Sequence, residues 1–218
     1  MLTENIKKLS EKYRNEFIAV RRHIHEHPEL SYEEFETSKF IQQKLNELGI
    51  PFSVMATTGV VGIIEGKHPS SQVIALRADI DALPIRETNT VNYVSKNEGV
   101  MHACGHDVHT TCLLGAAKIL NEIKEQWYGT IKLIFQPGEE KNPGGASLMI
   151  KEGVLKDPSP VAILGLHVHP SLPVGTFSFR KGKAMASADE IYITVRSKGG
   201  HAAAPHLTGD TILAASEM

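Results

Sequence analysis

The sequence predicts an α/β protein, a sheet with helices on both faces, running into the start of a smaller α+β domain. Three observations carry that expectation. Short β-type runs alternate with stretches of helical apolar spacing as far as Leu166. Polar clusters follow several of those runs immediately, as at the carboxyl ends of strands in open α/β sheets. After Pro173 apolar and polar residues alternate, the pattern of an antiparallel sheet with one wet face.

Taken in order, Ile6, Leu9, Tyr13, Phe17, Val20 and Ile24 recur at helical spacing, predicting a helix from Leu2 to about His25. A second runs from Tyr32 to Leu48 and ends at Gly49 before Pro51. Between them HIHEHPELSYEEFET reads as a turn with solvated charges. Strands are expected at Gly59 to Ile64 and Val73 to Arg77, the latter leading into ADIDALP. Glu87 to Gly99 reads as a loop. Then come a helix from about Val108 to Trp127, a strand from Thr130 to Phe135, the loop QPGEEKNPGG, a helix from about Ala146 to Glu152, and a strand from Val161 to Leu166 running into HVHP. Gly175 to Arg180 and Glu190 to Arg196 carry the alternating pattern, and a domain boundary falls near Lys181 to Ala186. The sequence stops inside an apparent helix without a C-terminal cap, which reads as a truncation.

A chain of 218 residues with 41% hydrophobic content builds a core without staples. Its 23 basic and 25 acidic side chains leave a formal net charge of −2, no footprint for nucleic acid or an anionic membrane. The amino terminus lacks the apolar stretch of a signal peptide, and no segment reaches the ~18 apolar residues of a membrane span. Cys104 and Cys112, eight positions apart on one expected helix, are too far from each other for a disulfide. These features predict a cytoplasmic protein with small or uncharged partners.

The stretch MHACGHDVHTT, residues 101–111, crowds three histidines, a cysteine and an aspartate at a helix mouth. There the helix dipole favours thiolate at Cys104, and a thiolate and an imidazole two residues apart, Cys104 and His106, can face one ion. Asp79/Asp81, Glu139/Glu140 and His167/His169 each closely follow an expected strand, so the sheet can deliver them to one rim. Of Glu139 and Glu140, one can face a metal and its neighbour a water; spacing leaves the assignment open. His167 and His169 point to the same side by period-two alternation, and either can be a ligand. The aspartates suit orientation of a ligand histidine. Asp107 and His109 are expected to cap and brace the helix, Cys112 to lie in the core, His201 to be structural, and His23, His25 and His27 to stay clear of metal.

With RRHIHEHPELSYEEFET, LRADIDALPI, MHACGHDVHTT, FQPGEEKNPGGA, LGLHVHP and SKGGHAAAPH in this order, the sequence resembles the amidohydrolase branch of the M20 metallopeptidases, which contains hippurate hydrolases, N-acyl-amino-acid amidohydrolases and auxin-conjugate hydrolases. The resemblance implies two divalent cations (zinc, manganese, cobalt or nickel) on Cys104, His106, Glu140 and His167. It also implies Glu139 as general base, Asp81 as an orienting carboxylate, and His201 as a lid histidine that reaches the substrate, often across a dimer. Residues 1–183 then form the amino-terminal part of a zinc-exopeptidase-like catalytic domain, and 184–218 begin a lid and dimerisation domain. The implied reaction is hydrolysis of the amide bond of N-acyl amino acids or similar small conjugates. Two other outcomes stand beside it: an inactive fragment without the family's carboxyl-terminal histidine ligand, and an aminopeptidase- or carboxypeptidase-type exopeptidase.

Overall fold

The structure, a computed structural model, describes residues 2–218 except Ser71, Ala184, Ser187, Ala188 and Glu190. It divides into two compact units, Met1–Pro170 and Ser171–Met218. The expected boundary between residues 183 and 184 falls on Ala184, outside the described residues.

In the first unit the apolar spacing read from the sequence yields α1 (Leu2–Glu26) and α2 (Phe35–Glu47). Glu34 stands at the N-cap of α2 but makes no capping bond; the Glu29 carboxylate accepts the first-turn N–H groups of Glu36 (3.1 Å) and Thr37 (2.7 Å) instead. The strands are β1 (Phe52–Met55), β2 (Gly59–Glu65), β3 (Val73–Asp79), β4 (Thr130–Gln136) and β5 (Ala162–Gly165), in spatial order β1-β2-β4-β3-β5. The sheet is mixed: β2 runs antiparallel to β1 and β4, whereas β3 runs parallel to β4 and β5. The hairpin strand β1 has no counterpart in the sequence reading, because three of its four residues are exposed and give no buried signal.

The pleat separates two apolar faces. On one, Val60, Ile64, Ala78, Leu133 and Phe135 pack with Val20 and Ile24 of α1, Ile41 and Leu45 of α2, and Leu113, Leu114 and Ala117 of α3 (His106–Glu122). On the other, Val61, Ala75 and Ile134 pack against Met149 of α4 (Gly145–Lys151) and Val154. Helices therefore lie on both faces, a three-helix layer opposite a single short helix. Lys132 points into that second face, where its buried ammonium donates to the carbonyls of Val154 (2.9 Å) and Lys156 (2.7 Å). α3 ends at Glu122 rather than continuing to Trp127, the chain tightening into a 3₁₀ turn over Lys124–Gln126. Cys112 is exposed on α3, not part of the core, and both cysteines are free. No helix among the described residues is long and apolar enough to cross a membrane.

The second unit corrects the expectation of antiparallel strands. Among its described residues neither Gly175–Arg180 nor the stretch from Ile191 to Arg196 forms a strand, and Glu190 lies outside the described residues. Alternation supplies only one face of a strand; without a paired neighbour the backbone has no ladder. Its regular elements are a 3₁₀ turn at Pro205–Leu207 and α5 (Thr211–Ser216), whose N-cap Asp210 accepts the N–H groups of Ile212 and Leu213, each at 2.9 Å.

Candidate metal centre

Because β3, β4 and β5 are parallel, their carboxyl ends open on the same edge of the sheet. β3 runs into Asp79 and Asp81, β4 into the loop with Glu139 and Glu140, and β5 into His167, while the amino end of α3 brings Cys104 and His106. Among the described residues three sets of ligand atoms each lie within 4.8 Å of one another: Cys104, His106 and His167; His106, Glu139 and Glu140; and Asp79, His106 and His109. All four expected ligands and the expected base thus gather around His106, which belongs to every set.

The hydrogen bonds of His106 fix its tautomer. Its Nδ1 lies 2.9 Å from the Asp81 carbonyl and 3.2 Å from Asp81 Oδ1. A carbonyl only accepts, so Nδ1 carries the proton and Nε2 keeps its lone pair. Among the described residues that buried Nε2 has no hydrogen-bond partner, as is also true of Glu140 Oε1. The two orphaned atoms are 3.7 Å apart, with Asp79 Oδ2 at 3.6 Å and Glu139 Oε2 at 3.9 Å from Nε2. A lone pair facing carboxylate oxygens at that separation is too far for a hydrogen bond and right for two ligands sharing one cation at about 2.0–2.2 Å each. Cys104 Sγ stands 3.3 Å from His167 Nε2, and His167 Nδ1 donates to the Val168 carbonyl at 2.7 Å, leaving Nε2 as the acceptor. Thiolate, imidazole and carboxylate form a donor set that fits a divalent transition metal.

The electrostatics of the cluster call for positive charge. Burial pushes the Cys104 thiol up to about 12, and Glu140, Glu139 and Asp79 add to the rise. Without a cation the expected thiolate at the helix mouth is disfavoured: burial first, and then three carboxylates, outweigh a partial helix charge. Burial and then the neighbouring Glu140 raise Glu139 as well. For His106, burial works against protonation, but the hydrogen bond to Asp81 and the charge of Asp79 prevail and raise it.

His109 is no ligand. Its Nε2 accepts the Val168 N–H at 2.9 Å, so Nδ1 carries the proton and donates to Asp79 Oδ1 at 2.6 Å. With both nitrogens committed, it positions Asp79 and the segment beside His167. Against the opposing effect of burial, this bond and the charges of His106 and Arg77 bring Asp79 down to about 2. Asp107 braces α3 without capping it, since the N-cap is Gly105 and no side chain caps there. Its buried carboxylate pairs with Arg21 Nε (2.7 Å) and His25 Nδ1 (2.8 Å), and His25 Nε2 reaches Glu87 Oε1 at 3.1 Å. A carboxylate faces each ring nitrogen of His25, and the hydrogen bond to Asp107 raises its pKa against the cost of burial.

Sequence reasoning missed the support beneath this site. The stretch between α1 and α2, read as solvated charges, grips the Glu139/Glu140 loop. Ser31 Oγ donates to Asp81 Oδ2 at 2.6 Å, and the same oxygen accepts the Glu140 N–H at 2.9 Å. The Tyr32 hydroxyl donates to the Lys141 carbonyl (2.7 Å) and accepts the Gly144 N–H (2.9 Å). Buried Glu34 accepts the Gly138 N–H and the Thr58 hydroxyl, both at 2.7 Å. Gly138 is in the left-handed region, φ +52°, and a Cβ there would lie 2.3 Å from Tyr32 Cε1. The one available signal was local: five hydrogen-bonding side chains, Glu29, Ser31, Tyr32, Glu33 and Glu34, follow Pro28 within six residues. In the second unit His201 is exposed, its Nδ1 accepting the Ala203 N–H at 3.1 Å.

The chain is similar to known proteins in sequence and in fold. The chain is 47% identical to thermostable carboxypeptidase 2 of Saccharolobus solfataricus, over 97% of this chain and 54% of that protein. It is 42% identical to the N-acyl-L-amino acid amidohydrolase of Geobacillus stearothermophilus, over 100% of this chain and 58% of the relative. It thus spans about half the length of these relatives. Among solved structures it is similar to a putative aminohydrolase from methicillin resistant Staphylococcus aureus, with TM-score 0.81, 36% identity, and coverage of 100% of this chain and 57% of the other. Bacillus subtilis YXEP, described as a dinuclear metal binding peptidase from the M20 family, gives TM-score 0.71 and 44% identity, over 76% of this chain and 46% of that one. The model of peptidase family M20/M25/M40 matches residues 75–216, from the third strand through the cluster and into the second unit, and the chain belongs to that family.

Proposed function

We propose that this chain is the metal-binding part of a hydrolase that cleaves the amide bond of N-acyl amino acids or similar small conjugates. The observation that carries the reading is the orphaned pair His106 Nε2 and Glu140 Oε1, beside Cys104 and His167 and with Glu139 alongside. In this reading Cys104, His106, Glu140 and His167 hold two divalent cations, of zinc, manganese, cobalt or nickel. When bound, such ions lower the pKa of a water and polarise a carbonyl. Glu139, its carboxyl raised above the ordinary value by burial and by Glu140 and its side chain partly open to solvent, takes a proton from the attacking water and returns it to the leaving nitrogen. Asp81 keeps the His106 lone pair aimed at the ion.

In this reading His201 donates to the substrate from a lid domain, through which the full-length protein pairs with a second copy of itself. The substrate is a small N-acylated molecule, without nucleic acid or membrane as partner, in keeping with the balanced charge. A cytoplasmic location fits two unpaired cysteines.

The test is zinc or manganese bound per chain together with amine release from N-acyl amino acids. Glu139→Gln should keep the metal and lose turnover by about 10²–10⁴-fold; turnover retained in that variant removes Glu139 as the base. A second reading, metal binding without turnover, is favoured by the chain's covering about half of each relative; stoichiometric metal with no amine release from the parent chain selects it. An exopeptidase reading follows from the likeness to a carboxypeptidase, and release of a carboxyl-terminal residue from unblocked peptides selects that one.

A further inference from the structure

A cavity of about 440 Å³ lies along α1, with Arg14, Phe17, Ile18, Arg21 and Arg22 of the helix and Tyr93 of the loop after β3 among its walls. None of the residues gathered around His106 lines it. Three guanidinium groups face this space and no acidic side chain does, in a chain whose formal net charge is −2. Arg21 is committed, its Nε 2.7 Å from Asp107 Oδ2. Arg14 and Arg22 are exposed, and among the described residues neither pairs with a carboxylate. A cleft lined by charge of one sign concentrates the opposite sign within it.

The guanidiniums are also placed in advance. Those of Arg22 and Arg21 lie 4.8 and 5.1 Å from the centre of the Tyr93 ring, so both side chains rest on an aromatic face instead of trailing into water. Less freedom is then lost when a ligand arrives. Two uncommitted unit charges match a dianion. A carboxylate carries one charge, whereas a phosphate monoester carries about −1.5 to −2 at neutral pH and offers three acceptor oxygens to the forked N–H groups of arginine. Phe17, Ile18 and Tyr93 set apolar and aromatic surface beside those charges, where a flat ring packs, and the volume falls in the range of small-ligand sites. We propose that this cavity binds the phosphate monoester of an aromatic or heteroaromatic ring, with Arg14 and Arg22 holding the phosphate. The site is separate from the metal centre and does not depend on the hydrolase reading.

The test is isothermal titration of the 218-residue chain with phenyl phosphate, inorganic phosphate and benzoate. Phenyl phosphate should bind at least about tenfold more tightly than either of the others, since one lacks the ring and the other the second charge. Arg14→Gln combined with Arg22→Gln changes only exposed side chains, so the fold should persist by circular dichroism while phenyl phosphate affinity falls at least about tenfold. His167→Ala, which alters the metal cluster alone, should bind phenyl phosphate as the parent does. Inorganic phosphate or benzoate binding as tightly as phenyl phosphate overturns the proposal, as does an affinity that the double arginine variant leaves unchanged. Binding lost in His167→Ala overturns it too, by placing the ligand at the metal cluster.

Discussion

Asp81 and His106 are joined twice, Nδ1 of the ring facing both the backbone carbonyl (2.9 Å) and the carboxylate (3.2 Å) of the aspartate. The other carboxylate oxygen holds Ser31 and the Glu140 N–H, so one side chain sets the aim of a histidine and the height of a glutamate loop.

Asp81→Asn tests this coupling. The amide cannot accept through both of its atoms, so either His106 is left with the backbone carbonyl alone, or Ser31 and the Glu140 N–H lose their acceptor. Metal affinity should fall about 10- to 100-fold while the fold persists. Isothermal titration with zinc, alongside circular dichroism, measures both; unchanged affinity would show that His106 is oriented by the backbone carbonyl alone.

Gly138→Ala puts a methyl group into the Tyr32 ring at a backbone conformation that disfavours side chains. The expected cost is about 1–3 kcal/mol, seen as a Tm lower by about 2–4 °C for each kcal/mol. Adding Tyr32→Ala should recover less than the whole loss, because it removes the clash but leaves the strained φ and unpairs the Gly144 N–H. Full recovery in the double variant would argue that strain at residue 138 is negligible.

Glu34 supplies a pH signature. Burial raises its carboxyl above the ordinary 4.5, and the bonds from Thr58 and Gly138 only partly offset this. A group raised in the folded state contributes stability that is fully present below about 4.5 and is lost as pH rises through the folded value. Glu34→Gln has no such loss, so its stability relative to the parent should improve as pH climbs from 4.5 toward neutrality. Denaturant midpoints across that window decide the matter, and a constant difference would mean that Glu34 titrates normally.

The elements that read most clearly in the sequence are those whose signal is local. Val73–Asp79 and Thr130–Gln136 are short apolar runs that end at polar clusters, and once they are known to be parallel neighbours the gathering of Asp79, Asp81, Glu139 and Glu140 follows. What escaped depends on partners distant in sequence. Ser31 and Asp81 are 50 residues apart, Tyr32 and Gly144 are 112 apart, and a serine or tyrosine after a proline looks like any surface turn until its partner is known. Lys132 escaped for a related reason, since an amine inside a strand reads as solvent-facing until two carbonyls from beyond α4 are seen to receive it. The failed strands after Pro173 show the converse: a correct period with no neighbour to pair with.

The seating of the Glu139/Glu140 loop on Ser31, Tyr32 and Glu34 sets a limit on how far the polypeptide can be shortened. A version trimmed to begin at Phe52 would still contain Cys104, His106, Glu140 and His167. It would nonetheless lose the foundation on which the glutamates sit, so the smallest piece able to capture an ion must reach back past every residue that could touch one.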